Sequence, residues 1–340
     1  MGLVYDPVYL EHETGAHVES PRRLVETVDL LKREGILDKV RRIQAREAEE
    51  EELQTVHAKE HIRRVREFAS RGGGWLDPDT VTSPGSYRAA AFAVGGLLEA
   101  VRAVLEGEIE SAFALVRPPG HHATRNRAMG FCLFNNVAVA AKYALGKGAE
   151  RVFIVDFDVH HGNGTQEAFY SDPEIFYFST HQYPYYPGTG SVDEIGHGPG
   201  RGTTANIPLP AGCGDPEYLK IYEEVLPPLV RRFSPDLILV SAGFDPHWAD
   251  PLAGMRVSVG GFRRIAEVIR DLAREVCGGR AVFTLEGGYH LQAVSYSVKA
   301  VLEALMDLPA QKDPLGPARY GGRPPGFEPM IEAVIKLHGI

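Results

Sequence analysis

Short apolar runs recur along the chain, and between them the hydrophobic period lengthens. Runs rich in β-branched residues fall at 112–117, 151–158, 175–180, 237–242 and 281–286, each with the length and composition of a strand. The second, fourth and fifth are apolar nearly throughout, as strands covered on both faces are. Stretches with helical spacing lie before and between them, at 21–33, 59–71, 85–106, 135–147, 216–232, 260–276 and 290–306. This alternation predicts an α/β fold with a mostly parallel sheet and helices on both faces.

Two segments break the alternation. Residues 181–203 are rich in Gly, Pro and Tyr, and residues 309–328 in Pro and Gly. A long irregular loop directly after a core strand is expected to serve a site. The second segment reads as a surface tail before a short final helix. Neither has the composition of a flexible Gly/Ser linker, so residues 1–340 are expected to form one domain.

Composition narrows the function classes more than the fold. Hydrophobic residues make up 44% and charged residues 24%, ordinary for a soluble protein. No apolar run reaches the ~18 residues of a membrane-span candidate. A net charge of −9 has the wrong sign for direct nucleic-acid binding. Three cysteines, Cys132, Cys213 and Cys277, are odd in number and lack CxxC spacing, so neither a disulfide framework nor a Cys-based zinc site is expected. The first residues carry no basic stretch followed by a long apolar one, so the expectation is no secretory leader and a reducing cytoplasmic location.

In an open parallel sheet, ligands bind beyond the carboxyl ends of the strands. Here those ends carry His121-His122, then Asp156-Phe157-Asp158-Val159-His160, then His181, Asp245, and finally Glu286-Gly287-Gly288-Tyr289. An isolated Asp-x-His is more often a helix cap and a bystander than a ligand pair, but the convergence of all five ends on one edge favours a site. Asp158 and His160 stand two apart, so an extended backbone points both to one face. With Asp245 they make a mixed O/N donor set that suits Zn²⁺ with an open position, and Fe²⁺ or Co²⁺ nearly as well. His121 and His122 could serve as base and acid beside a metal-bound water. Asp156 and Asn163 are available to fix their tautomers and to drive their pKa values apart. Tyr289, after two glycines, is a candidate oxyanion donor, or simply the cap of an apolar pocket. Phe131, Tyr183, Tyr185 and Tyr186 are candidate walls of a slot for a long aliphatic stem, although packing under a loop is the commoner fate of aromatics.

Taken in order, RPPGHHA (117–123), GFCLFNN (130–136), DFDVHHGNGT (156–165), YYPGTG (185–190), SAGFDPHWADPLAGM (241–255) and LEGGY (285–289) resemble the histone deacetylase family, in the wider group with acetylpolyamine amidohydrolases and acetoin-utilization proteins. The resemblance spans roughly residues 5–305. It implies the arginase/deacetylase α/β fold with an eight-stranded, mostly parallel sheet, and hydrolysis of an N-acetyl amide with one metal, usually zinc. It further implies Asp158, His160 and Asp245 as metal ligands, His121 and His122 as the paired histidines, with Asp156 the partner of the first, and Tyr289 as the transition-state tyrosine. Asn163 in HGNGT looks like the class II branch. Gly130, Phe131 and Tyr186 match an acyl-lysine tunnel, and a structural K⁺ is implied near Asp156, Asp158, His160 and Ser179. Leu252 falls where polyamine-preferring members carry a Glu, which weakens a polyamine reading, although Asp79 is a rim carboxylate that could receive a cationic amine. The expected substrate is an acetylated lysine peptide or protein, with an acetylated small amine as the alternative. A non-catalytic acyl-lysine reader would be expected to have lost Tyr289 or a ligand. Self-association stays open.

Overall fold

The computed structural model describes residues 1–319 and 321–340. Its strands are β1 (Gly2–Val4), β2 (Arg41–Ile43), β3 (Gly74–Asp77), β4 (Thr80–Thr82), β5 (Ser111–Ala114), β6 (Val152–Asp156), β7 (Ile175–Gln182), β8 (Thr204–Leu209), β9 (Leu237–Ala242) and β10 (Ala281–Leu285). Eight of these form one sheet in the order β2-β1-β5-β10-β9-β6-β7-β8, and every neighbouring pair is parallel. β3 and β4 make a separate antiparallel hairpin. β6, β9 and β10 are buried along their whole length, which accounts for their unbroken apolar sequences. The expected fold is thus borne out, and the sheet is parallel throughout.

Helices cover the sheet where the 3.6-residue period falls. Arg22–Arg33, Lys59–Ser70, Ser86–Leu105, Asn136–Gly146, Val259–Cys277 and Leu291–Leu305 all lie within a residue or two of their predicted bounds, and Phe327–His338 follows the Pro/Gly-rich tail. Their ends have local causes. The Asn135 side chain accepts from the Ala138 amide at 3.0 Å, Ser258 Oγ accepts from the Gly261 amide at 3.1 Å, and Gly278 ends the Val259–Cys277 helix in the left-handed region. The stretch read as one helix at 216–232 is interrupted: Asp215–Lys220 passes through a wider π-turn, Ile221–Val225, into Leu226–Phe233. Pro227 and Pro228 lack the amides that a continuous ladder needs. Among the described residues no helix is long and apolar enough to cross a membrane.

Three strands of the main sheet went unread in the sequence, as did the β3–β4 hairpin. β1 and β2 are only three residues long, and β2 is an edge strand with two exposed arginines. β8 contains Pro208, which demotes a strand signal, and it occupies the opposite edge, where Pro is tolerated. What the topology does for function is specific. β5, β10, β9 and β6 are consecutive neighbours at the centre of the sheet, and the segments leaving their carboxyl ends carry most of the polar residues singled out above.

Candidate active site

β6 ends at Asp156, so Asp158 and His160 belong to the turn beyond it rather than to the strand. Their convergence comes from that turn: the His160 amide donates to Asp158 Oδ1 at 2.9 Å, while Phe157 and Val159 sink into the core. Asp245, just beyond β9, meets them. The three side chains offer ligand atoms that all lie within 4.8 Å of one another, and all three are buried. His160 Nδ1 stands 3.1 Å from Asp158 Oδ1 and 3.1 Å from Asp245 Oδ2.

The surrounding backbone leaves little room for error. Asp158 Oδ2 accepts from the Gly287 amide at 2.8 Å, and Asp245 Oδ1 from the Val159 amide at 2.9 Å. Asp245 Oδ2 is buried without any hydrogen-bond partner of acceptable geometry, a state that costs free energy unless something electropositive satisfies it. A side chain at Gly287 would put its Cβ 2.3 Å from that same oxygen and 2.6 Å from Asp158 Oδ2, so only glycine permits this approach. Burial, then the charge of Asp158, pushes the Asp245 carboxyl up to about 7. Burial alone would lower His160, but Asp158 and Asp245 hold it up at about 10. Two carboxylates thus press on one imidazole for positive charge. The donor set, the unpaired oxygen and this charge balance all fit a divalent cation.

His121 and His122 lie beside the triad, their rings 4.0 Å apart. His121 Nδ1 is 3.0 Å from Asp156 Oδ2, and the Tyr177 hydroxyl donates to that oxygen at 3.0 Å. His122 Nδ1 is 2.8 Å from Asn163 Oδ1. Burial lowers both imidazoles, but for His121 the charges of Asp156 and Asp158 outweigh it and raise the ring to about 10. His122 has only an amide partner. Burial, then His121 and His160, holds it well below the usual histidine range. The two rings are therefore driven apart, as their partners' chemistry predicted.

Asp79, His122, Gly130, Phe131, His160, Tyr186 and Tyr289 enclose a cavity of about 80 Å³. Larger hollows exist, such as one of about 330 Å³ between Leu3, Val28 and Arg42, but they bring no comparable cluster together, and chemistry rather than volume picks out this one. Phe131 holds a left-handed backbone, φ 69°, uncommon for a residue with a side chain. It is kept there by the Phe131 amide donating to Thr80 Oγ1 at 3.1 Å and the Gly130 amide donating to Asp79 Oδ1 at 3.1 Å. The Phe131 ring meets Tyr289 edge-on at 5.7 Å. Burial and the nearby Asp245 raise the Tyr289 phenol well above its usual range, so it keeps its proton and can donate.

Leu252 stands outside the lining of this cavity, and its backbone carbonyl accepts from the Tyr185 hydroxyl. Ser179 sits opposite Asp156 in the β6–β7 register, its hydroxyl 2.9 Å from His181 Nδ1. Tyr185, read only as a wall, stacks on His160 at 5.6 Å. Two acids were given no role in the sequence reading. Glu286 accepts from the Gly120 amide at 2.6 Å and the His121 amide at 3.2 Å, fixing the His-His turn. Asp250 accepts from the Tyr289 amide at 2.6 Å. A carboxylate closing an apolar strand was the available signal for Glu286; nothing local marked Asp250.

A buried ionic knot lies behind the site. Arg117 donates to Glu19 Oε2 at 2.7 Å and to the carbonyls of Tyr9 and His12. Arg23 donates to Glu19 Oε1 at 3.1 Å, to the Gly288 carbonyl at 2.7 Å and to the Glu286 carbonyl.

The histone deacetylase domain family matches residues 17–305. A protein described as a probable deacetylase of Archaeoglobus fulgidus is 41% identical, over 92% of this chain and 89% of its own. The chloroplastic histone deacetylase 10 of Oryza sativa subsp. japonica is 42% identical, over 88% of this chain and 72% of its own. The crystal structure of the HDA15 HD domain superposes with a TM-score of 0.89 at 37% identity, covering 99% of this chain and 93% of that one. On the sheet, the site and these likenesses together, the chain belongs to the histone deacetylase family.

Proposed function

We propose that the protein is a metal-dependent deacetylase that hydrolyses the N-acetyl amide of acetyl-lysine in a peptide or protein and releases acetate. The observation that carries this reading is the buried Asp158–His160–Asp245 cluster, set beside two histidines whose different partners, Asp156 and Asn163, push their pKa values in opposite directions. The donor set supports Zn²⁺, with Fe²⁺ or Co²⁺ compatible.

When bound, the metal supplies Lewis acidity that lowers the pKa of water and polarises the acetyl carbonyl. The remaining work falls to side chains of this chain. His122 Nδ1 faces the Asn163 carbonyl oxygen, so its proton sits there and Nε2 is the free acceptor. Nε2 takes the proton of the attacking water. His121, kept protonated by Asp156, is the acid that serves the departing amine. The Tyr289 phenol donates to the oxygen that gains charge as the amide carbon becomes tetrahedral. Phe131 and Tyr186 flank the aliphatic stem.

A panel of acetyl-lysine peptides against acetylspermidine and acetylputrescine, with the metal stripped and restored, tests the reading. Amide hydrolysis that is lost with the metal and returns with zinc is expected, and no hydrolysis of any N-acetyl amide by the zinc-loaded protein would sink it. Asp79 at the cavity favours one second reading, an acetylated small amine whose cationic end it receives. Acetylpolyamine outcompeting the peptides would select that reading.

A further inference from the structure

The loop that carries Tyr289 is pinned at three consecutive residues. The Gly287 amide donates to the ligand Asp158 at 2.8 Å, the Gly288 carbonyl accepts from Arg23 at 2.7 Å, and the Tyr289 amide donates to Asp250 Oδ2 at 2.6 Å. Asp250, only 7% exposed, also accepts from the His290 amide at 3.2 Å through the same oxygen, and from the Leu252 amide at 3.0 Å through Oδ1. The Leu252 carbonyl in turn accepts from Tyr185, whose ring lies nearly parallel to His160, tilted by 21°. An unbroken run of contacts therefore leads from His160 through Tyr185, Leu252 and Asp250 to Tyr289.

From this we infer that Asp250 is a positioning residue for Tyr289, and that residues 250–252 form a brace setting the phenol against the wall over His160. The inference rests on the oxyanion-donor role proposed for Tyr289. Asp250 is not among the residues that line the cavity; it acts through the backbone of Tyr289. Both carboxylate oxygens are needed, because one serves Leu252 and the other serves Tyr289 and His290. Asparagine offers one acceptor oxygen and an amide that cannot accept. The loop before Tyr289 contains two glycines and cannot hold the phenol by its own stiffness.

A double-mutant cycle on the zinc-loaded protein tests this. Asp250→Ala is expected to lower kcat by about 10²-fold, the scale of a misplaced reacting group, with KM and metal content unchanged. Asp250→Asn is expected to fall between it and the wild type. In a Tyr289→Phe background, Asp250→Ala is expected to cost little more, because its effect passes through the phenol. A loss that simply multiplies with that of Tyr289→Phe would overturn the inference, as would wild-type kcat in a folded Asp250→Ala. Should the alanine variant not fold, Asp250→Asn runs the same cycle. If the wild type hydrolyses no N-acetyl amide, the proposed function fails separately, and crystal structures of the wild type and Asp250→Asn then decide: a displaced Tyr289 supports the brace and an unmoved one overturns it.

Discussion

His121 and His122 are adjacent in sequence and their rings nearly touch, yet a single atom in each partner gives them different surroundings. Asp156 offers His121 a charged oxygen, and Asn163 offers His122 a neutral one. Asn163→Asp should therefore raise His122. A base must be neutral, so the fraction able to accept a proton would be lost as pH falls through this higher pKa. The acid limb of kcat/KM is expected to move upward by on the order of one pH unit, as a pH–rate profile would show; an unmoved limb would remove His122 from the role of base. Tyr289→Phe deletes only the phenolic donor and should lower kcat by about 10²–10³, with the metal content and melting temperature of the wild type. Near-normal turnover in that variant would return Tyr289 to being a pocket wall.

At the scale of elements, the close approach of β9, β10 and the turn after β6 decides whether the ligands can meet. Gly287→Ala would drive a methyl group between Asp158 and Asp245. Zinc affinity is expected to fall by about 10–100-fold while the sheet stays intact, measured by competition with a chromophoric chelator alongside circular dichroism; unchanged affinity would mean that the loop yields. The elements themselves were legible where the period was long and the burial two-sided. Val259–Cys277 and β9 fall within a residue of their expected bounds. β8 and the π-turn before Leu226 were not, since Pro208 and the Pro227-Pro228 pair change hydrogen bonding without changing hydropathy. The same contrast runs through the site. Asp158, His160 and Asp245 were legible because strand ends gather at one edge. Asp250 was not, because all its partners are backbone amides, one two residues on and the others 39 and 40 residues away, and amides carry no side-chain signature. The turn that brings Asp158 to His160 was likewise mistaken for strand alternation, since both put residues two apart on one side.

At the scale of the whole molecule, the Glu19–Arg117–Arg23 knot fastens the N-terminal segment to the back of the site. All three side chains are at most 1% exposed. Glu19→Gln would leave two buried guanidinium groups short of charge and is expected to destabilise the fold by about 3–5 kcal/mol, read from urea unfolding; a loss within experimental error would mean that water reaches the knot. The pH dependence has a definite sign. Burial raises the Glu19 carboxyl, but Arg117 and the hydrogen bonds from Arg117 and His12 outweigh it and hold it well below the usual range. Its contribution is therefore complete above the unfolded pKa of about 4.3 and is lost as pH falls towards the folded one. The glutamine variant should lose less stability than the wild type over the same acid range.

The knot also bears on the order in which the protein can be made. Arg23 reaches partners 263 and 265 residues further along the chain, and such closures carry a large entropic toll that slows folding. A nascent chain still short of residue 286 has Arg23 and Glu19 but not the carbonyls that Arg23 must meet, nor Tyr289. The stretch that waits for residues 286–288 is thus the one beside Tyr289, so the candidate site cannot close until that distant part of the chain has been made.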